Sequence, residues 1–403
     1  MKVLIVTDAL PFPALNGKQL PIAGLFECIS KTHITHLLVL AEAGIEIKDH
    51  TALPKSIIYK GSVPVKKINS KKKLISSALT FKHSISLYKY DKSSLGNVIG
   101  SEHYDFIWVS PAHYYSFISF CNNNNLRFFK KVAIGLNDCK TFQFRDSINE
   151  LMYSRIFKLR YVTEWLRSFP LEREERNFLA LADIVHVQTL NEAEKVRKVV
   201  RNRLKPLIVA APNGIKEELF ACSYNGVNSN VILFMTHLHG HRLKESEWFI
   251  TKVWPVIKKK LPEAKLSLVG TPPKTKIDYI DTDSSILING YADDIHELYN
   301  TVRLAVVPTF HGTGLINRIL DAITAGVPVV STPQAIATFP GLISGKEILS
   351  ASGAKQFADA VIKLYTDINF RCKMAADGRL YAKTQNTWPQ SALVVQEAME
   401  SLV

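Results

Sequence analysis

Val307-Pro308-Thr309-Phe310-His311-Gly312-Thr313-Gly314-Leu315-Ile316-Asn317-Arg318-Ile319-Leu320-Asp321-Ala322 is the stretch whose reading decides the fold. It follows Leu304-Ala305-Val306, so four apolar residues run without polar alternation up to Val307. Such a run predicts a strand of a parallel sheet covered by helices on both faces. A glycine-containing turn follows, then a helix over 314–325. Gly312 and Gly314 let the backbone come close to a ligand. The unpaired N–H groups at the helix start face an anion, and the helix dipole favours it. Arg318 and Asp321 are three residues apart and share a helical face. A guanidinium beside an anion site suits a diphosphate, and a carboxylate one turn further on accepts hydrogen bonds from a ribose diol. The rival reading is a tight turn with an intrahelical Arg–Asp ion pair.

The same strand–turn–helix rhythm extends in both directions. Towards the C-terminus, Val327–Val330 is the next strand. Towards the N-terminus lie Ile286–Ile288, Leu266–Val269 and Val231–Met235, with helical periodicity at 245–260 and 293–300. A turn signal, Pro212-Asn213-Gly214, and a polar stretch from Cys222 to Asn230 interrupt the pattern and place a boundary within 205–230. Before it, Val3–Thr7, Ile34–Leu40, Phe106–Ser110, Val132–Leu136 and Ile184–Gln188 read as strands, and 18–31, 155–182 and 190–201 as helices. Strands alternating with helices predict parallel α/β sheets. The expected architecture is two Rossmann-like doubly wound domains facing across a cleft. Residues 1–205 form the first and 206–385 the second, and 386–403 make a helix returning to the first. In such sheets ligands bind beyond the carboxyl ends of strands.

Composition narrows the class. Of 403 residues 47% are apolar and 21% charged, an ordinary globular balance that excludes disordered, collagen-like and disulfide-scaffold readings. No run of about 18 uncharged apolar residues exists, and the apolar start is too brief for a signal peptide. The five cysteines are scattered without a metal-ligand or disulfide spacing, which fits a reducing cytoplasm. The net charge is +14. Residues 55–92 hold ten lysines and one acid, Asp91, and 195–205 hold six bases and no acid. The first run is interleaved with Tyr59, Leu74, Ile75, Leu79, Phe81, Ile85, Leu87, Tyr88 and Tyr90, a mixture that suits an anionic membrane surface. Nucleic acid is a rival partner that the motifs disfavour, and a solvated face with snorkelling lysines is the plain alternative.

Gly312 to Leu315, followed by Ala325-Gly326-Val327-Pro328-Val329-Val330-Ser331-Thr332, resembles the nucleotide-binding signature of the GT-B, family-4-like glycosyltransferases. Trp248-Phe249, Val253 to Ile257, Leu261 to Gly270, Gly290 to Asp294 and Pro212 to Ile215 follow the same pattern, and Pro11 to Gly17 fits the opening of the acceptor domain. The resemblance covers most of the chain, strongly over 206–342 and loosely over 40–180. It implies retaining, metal-independent transfer of a hexosyl unit from a nucleotide diphosphate sugar to a hydroxyl, with no cofactor. Arg242 and Arg318 then neutralise the diphosphate, and Asp321 holds the ribose one methylene short of the family's Glu. His311 stands where the family has a Glu near the donor sugar, His237 where an Arg is common, and Ile316 where a subgroup has a Lys.

The remaining nucleotide contacts implied are Gly270, Tyr291, Gly312, Thr313, Gly314 and Leu315, with Tyr291 able to stack on the base. Gly17 approaches the donor phosphate from the first domain. Asn137 aligns with the family's His near the transferred sugar, and Asp138 beside it holds a hydroxyl or caps a helix; His113 is the other option there. The usual account of retention has the leaving phosphate take the acceptor proton, which lessens the need for a general base. Asp281-Thr282-Asp283 and the alternating His237, His239 and His241 lack the context of a metal site. The expected acceptor is a saccharide or a lipid-linked saccharide, lipopolysaccharide core included, met at the inner face of the cell membrane through 55–92, with no nucleic acid partner. A catalytically silent homologue, a nucleic-acid binder and a sugar-nucleotide epimerase are the competing readings.

Overall fold

The computed structural model describes residues 1–14, 19–42, 50–67, 88–110, 115–136, 141–142, 171–173, 175–201, 206–224, 228–238, 240–273, 277, 280, 283–310 and 314–403. The chain divides into two units, Met1–Asn213 with Trp388–Val403, and Gly214–Thr387.

In the first unit, β1 (Lys2–Thr7), β2 (Ile34–Glu42), β3 (Ile57–Lys67), β4 (Tyr88–Tyr90), β5 (Tyr104–Val109), β6 (Phe129–Gly135), β7 (Ile184–Val187) and β8 (Leu207–Ala210) form one sheet. Its order is β4-β3-β2-β1-β5-β6-β7-β8. Every pairing is parallel except β3 with β4. Both faces of β1 are covered. Leu4 and Val6 enter one apolar cluster and Val3 and Ile5 the other, which is why the strand shows no polar alternation. The helices of this unit include α1 (Leu20–Ile29), α2 (Lys92–Ile99), α3 (Tyr115–Asn123) and α4 (Leu190–Val200), and 171–173 and 175–179 are helical too. Of the helix expected at 155–182, residues 155–170 lie outside the described residues.

The second unit holds β9 (Val231–Met235), β10 (Lys265–Val269), β11 (Ile286–Ile288), β12 (Leu304–Val307), β13 (Val329–Ser331) and β14 (Leu349–Ser350), in the order β11-β10-β9-β12-β13-β14. All of its pairings are parallel. Its described helices are α5 (Gly240–Trp248), α6 (Trp254–Lys260), α7 (Ile295–Thr301), α8 (Asn317–Thr324), α9 (Pro333–Ile336), α10 (Gly353–Thr366) and α11 (Ile368–Gln385). Leu233 faces one apolar cluster and Ile232 and Phe234 the other. Both sheets share the doubly wound strand order, with a switch of direction beside β1 and again beside β9.

Three differences from the sequence reading have physical causes. The division falls at Asn213 rather than 205, because Leu207–Ala210 extends the first sheet by pairing with β7. The helix expected at 245–260 is two helices joined by a π turn, Phe249–Val253. Pro255 lacks an N–H and cannot continue the ordinary bonding pattern there. Part of the basic run is sheet: Val63, Val65 and Tyr88 are buried in β3 and β4, while Lys66 and Lys89 point outwards. Lys71, Lys72, Lys73 and Lys82 lie outside the described residues.

The last helix, α12 (Trp388–Glu400), belongs to the first unit. A Cβ on Gly24 of α1 would lie 2.1 Å from the Trp388 ring, so the glycine is what admits the indole. Gln396 Nε2 donates to Thr32 Oγ1 at 2.6 Å, and Ser391 Oγ donates to the Pro212 carbonyl at 2.6 Å.

Candidate functional site

The switch point of the second sheet lies between β9 and β12, and the carboxyl ends of these strands are where a doubly wound sheet takes its ligand. Arg318, on the first turn of α8, spans it. Its Nη1 donates to the Met235 carbonyl at the end of β9 (2.5 Å), and its Nη2 to Thr309 Oγ1 just past β12 (3.3 Å). A guanidinium has N–H donors beyond these two to offer a ligand. Burial lowers its pKa to about 9, and the nearby Arg242 guanidinium pushes the same way. Arg318 therefore remains cationic at neutral pH. Arg242 and Arg318, 76 residues apart in sequence, are thus brought to one place.

The loop after β12 is pinned from two sides. Thr332 Oγ1 donates to the Thr309 carbonyl, and Ser331 Oγ to that of Val307 at 2.7 Å. From α5, the buried Glu245 carboxylate accepts the Phe310 N–H at 3.1 Å. Glu245 also acts electrostatically on Arg318, holding its charge. The helix α8 then begins without a side-chain cap, Ile316 being its N-cap. Within its first turn the Ile319 N–H donates to the Ile316 carbonyl at 2.8 Å. Gly314 is half-buried at this entrance, whereas the Leu315 side chain is in the apolar core, so only its backbone is available to a ligand.

On the other side of β9 the strand-end loops are stacked in register. Thr236 N–H bonds to Val269, Leu238 N–H to Thr271 at 3.0 Å, and Gly270 N–H to Gly290 at 2.6 Å. Gly270 has φ +137°, and a Cβ there would lie 2.0 Å from the Thr236 carbonyl oxygen. His237 Nδ1 accepts the Thr271 N–H at 3.3 Å and lies 2.9 Å from Thr271 Oγ1. The neutral ring therefore carries its proton on Nε2. Thr271 Oγ1 is also 2.7 Å from the Tyr291 hydroxyl, and Tyr291 is exposed, its ring centroid 6.4 Å from that of His237.

Asp321 is 8% exposed, and its Oδ2 is 2.9 Å from Lys216 Nζ. Desolvation raises its carboxyl pKa, and Lys216 opposes the rise. The rival reading of an intrahelical pair with Arg318 does not hold: Arg318 donates to Met235 and Thr309, and the carboxylate's partner comes from the segment before the 3₁₀ turn Glu217–Ala221.

The structure thus gathers Arg242, Arg318, His237, Gly270, Tyr291, Gly314, Leu315 and Asp321 on or beside the carboxyl ends of the second sheet. His311, Gly312 and Thr313, and from the first unit Gly17, His113, Asn137 and Asp138, lie outside the described residues, as do His239 and the side chain of His241. Glu245, Thr271 and Lys216 were missed. Glu245 stands three residues after Arg242, but nothing in the sequence names Phe310, 65 residues on, as the group it holds. Lys216 follows Pro212–Ile215 directly, but nothing in the sequence names its distant partner.

Residues 229–367 match the family model of the glycosyl transferases group 1. The second unit therefore carries a glycosyl transferases group 1 domain, and the site just described lies within the matched residues except for Lys216. A curated relative, an uncharacterized 44.6 kDa protein in the cps region of Klebsiella pneumoniae, is 22% identical over 377 residues, covering 91% of this chain and 92% of its own. Among solved structures, sucrose-phosphate synthase from Thermosynechococcus elongatus superposes with a TM-score of 0.70 at 14% identity, over 100% of this chain and 99% of its own. Anabaena HepE in complex with UDP and glucose gives 0.64 at 13% identity over the whole of both chains. At such identities the likeness is one of fold, the two-Rossmann-domain GT-B architecture.

Proposed function

We propose that the protein is a retaining, metal-independent glycosyltransferase. It moves a hexosyl unit from a nucleotide diphosphate sugar to a hydroxyl of a saccharide or lipid-linked saccharide. The observation that carries the reading is Arg318, a cation anchored across the switch of the second sheet, beside Arg242 and the uncapped start of α8. The matched family and the fold shared with a UDP-binding protein support it.

In this reading the departing diphosphate carries the developing charge. The two guanidiniums and the α8 N–H groups are in place before reaction and gain strength as that charge grows. Glu245 and Thr332 fix the loop that presents them. The acceptor attacks from the side the phosphate leaves, and its hydroxyl proton passes to the departing phosphate oxygen. His237 supplies an Nε2–H donor rather than a full charge, so the cationic work falls on the arginines.

Among the described residues no helix is long and apolar enough to cross a membrane. The outward lysines of β3, β4 and α2, continuous in sequence with the rest of 55–92, suit peripheral attachment to an anionic inner leaflet, where lipid-linked acceptors are met.

The test is turnover. Incubation with UDP-, GDP-, ADP- and dTDP-hexoses should release a nucleoside diphosphate from at least one donor, unaffected by EDTA. NMR of the product should show the donor's anomeric configuration kept. Binding without release from any donor, with or without acceptor glycolipids, would make the protein a silent binder and end the catalytic reading.

A further inference from the structure

Arg318 is anchored at two points, and each stands next to a group gripped by α5. The first anchor is the Met235 carbonyl. The following residue, Thr236, has its hydroxyl 3.0 Å from Ser246 Oγ of α5. The second anchor is the Thr309 hydroxyl, and the peptide joining Thr309 to Phe310 is held at both ends. Its N–H donates to Glu245 Oε1 of α5 at 3.1 Å, and its carbonyl accepts from Thr332 Oγ1. Three residues along α5 from Glu245, the Trp248 ring meets the Phe310 ring edge to face, centroids 4.8 Å apart. Thr236, Glu245, Ser246, Thr309 and Thr332 are all buried. Arg242, the other guanidinium of the site, is on the first turn of the same helix.

A neutral threonine or glutamine would serve a buried peptide N–H as well as a glutamate does. A buried carboxylate costs more than either unless cations stand by it. Here one does: Glu245 acts on Arg318 in the sense that keeps the guanidinium charged. Glu245 thus bears on Arg318 along two routes, through the Thr309–Phe310 peptide and through space. Resting on the reading under Proposed function, we infer that Glu245 is a positioning residue for transfer: by holding the peptide next to the Thr309 hydroxyl, it fixes the direction in which the Arg318 guanidinium faces the diphosphate. A guanidinium grips phosphate strongly only when its planar fork is aligned with the oxygens. With the second anchor loosened, the Arg318 fork is free to swing about the first.

The experiment compares Glu245→Gln with Glu245→Met in the full-length protein. The two are alike in charge and close in size, but only the glutamine carbonyl accepts the Phe310 N–H well. UDP, GDP and ADP are titrated by calorimetry, and whichever binds wild type most tightly is used throughout. The methionine variant should bind it about 5–30-fold more weakly than the glutamine variant. With Arg318→Lys added to both, which keeps the charge but not the fork, the difference should shrink to within about 2-fold. A role in folding alone would lower the melting temperature of the second unit and leave the two affinities equal, or unequal by the same ratio in both backgrounds. Either result overturns the inference while nucleotide binding stands. Thr332→Val removes the clasp on the other end of the same peptide and should weaken binding with the same dependence on Arg318, which decides the matter should Glu245→Met not fold. Failure of wild type to bind UDP, GDP or ADP at about 1 mM would instead overturn the nucleotide reading, and this inference with it.

Discussion

Replacing Gly270 by alanine tests whether the strand-end loops of the second sheet are stacked as tightly as the geometry says. The added Cβ would lie 2.0 Å from the Thr236 carbonyl oxygen and 3.0 Å from its carbon, both backbone atoms that cannot rotate away. The residue also has φ +137°, a region costing an L-residue about 1–3 kcal/mol. Relief requires the 236–238 and 270–271 segments to part. That puts at risk the Thr236–Val269, Leu238–Thr271 and Gly270–Gly290 hydrogen bonds, each worth about 1 kcal/mol. With all three bonds lost the expected cost is about 4–6 kcal/mol. At about 2–4 °C per kcal/mol for a domain of this size, the melting temperature should fall by about 8–24 °C. Calorimetry is the suitable assay, because the chain has two units and only the transition of the second should move. Nucleotide affinity should fall as well, since His237 and Tyr291 are both positioned by Thr271. A variant melting within about 2 °C of wild type would refute the reasoning.

Arg318→Ala should weaken nucleoside diphosphate binding by about 30–1000-fold, the worth of a charge-assisted contact made by more than one donor; near-normal turnover would remove Arg318 from the site. Asp321 has a raised carboxyl in the folded state, so its contribution to stability is full below the ordinary pKa of 3.8 and is lost as pH rises through the raised value. The stability of wild type relative to Asp321→Asn should accordingly fall in urea denaturation as the pH rises above the ordinary carboxylate range, and a constant difference would contradict the desolvation of this group. His186 is the opposite case: burial depresses its pKa to about 4, and Nε2 donates to the Ala211 carbonyl at 3.0 Å. Its contribution is present above pH 6.5 and lost as pH falls through about 4. The loss should be roughly 3 kcal/mol over that window, absent in His186→Gln, and an equal decline in both proteins would show the histidine to be uninvolved.

What was legible in the sequence was what short-range pattern encodes. β1, β9 and β12 carry continuous apolar runs, and each is a central strand of its sheet. β3 was hidden because Val63 and Val65 alternate with Pro64 and Lys66 at the sheet's margin, where half of the strand is wet and carries charge. β14 has two residues, too few to show a period. In the site, the strand end, the glycines and Arg318 were readable because they sit within one strand–turn–helix segment. Lys216 and Glu245 were not, since their partners lie 105 and 65 residues away and only the sheet order brings them together. The Arg318–Asp321 spacing suggested an ion pair that tertiary structure replaced. Arg318 finds carbonyl and hydroxyl acceptors across the switch, and Asp321 finds a lysine from outside its helix.

The most direct test of the central claim is a crystal structure of the protein soaked with the nucleotide sugar that binds it most tightly. Its diphosphate should lie over the start of α8, with phosphate oxygens about 3 Å from the Arg318 guanidinium and from first-turn N–H groups. A nucleotide seated elsewhere, or an α8 entrance that stays empty in the presence of bound donor, would contradict the account.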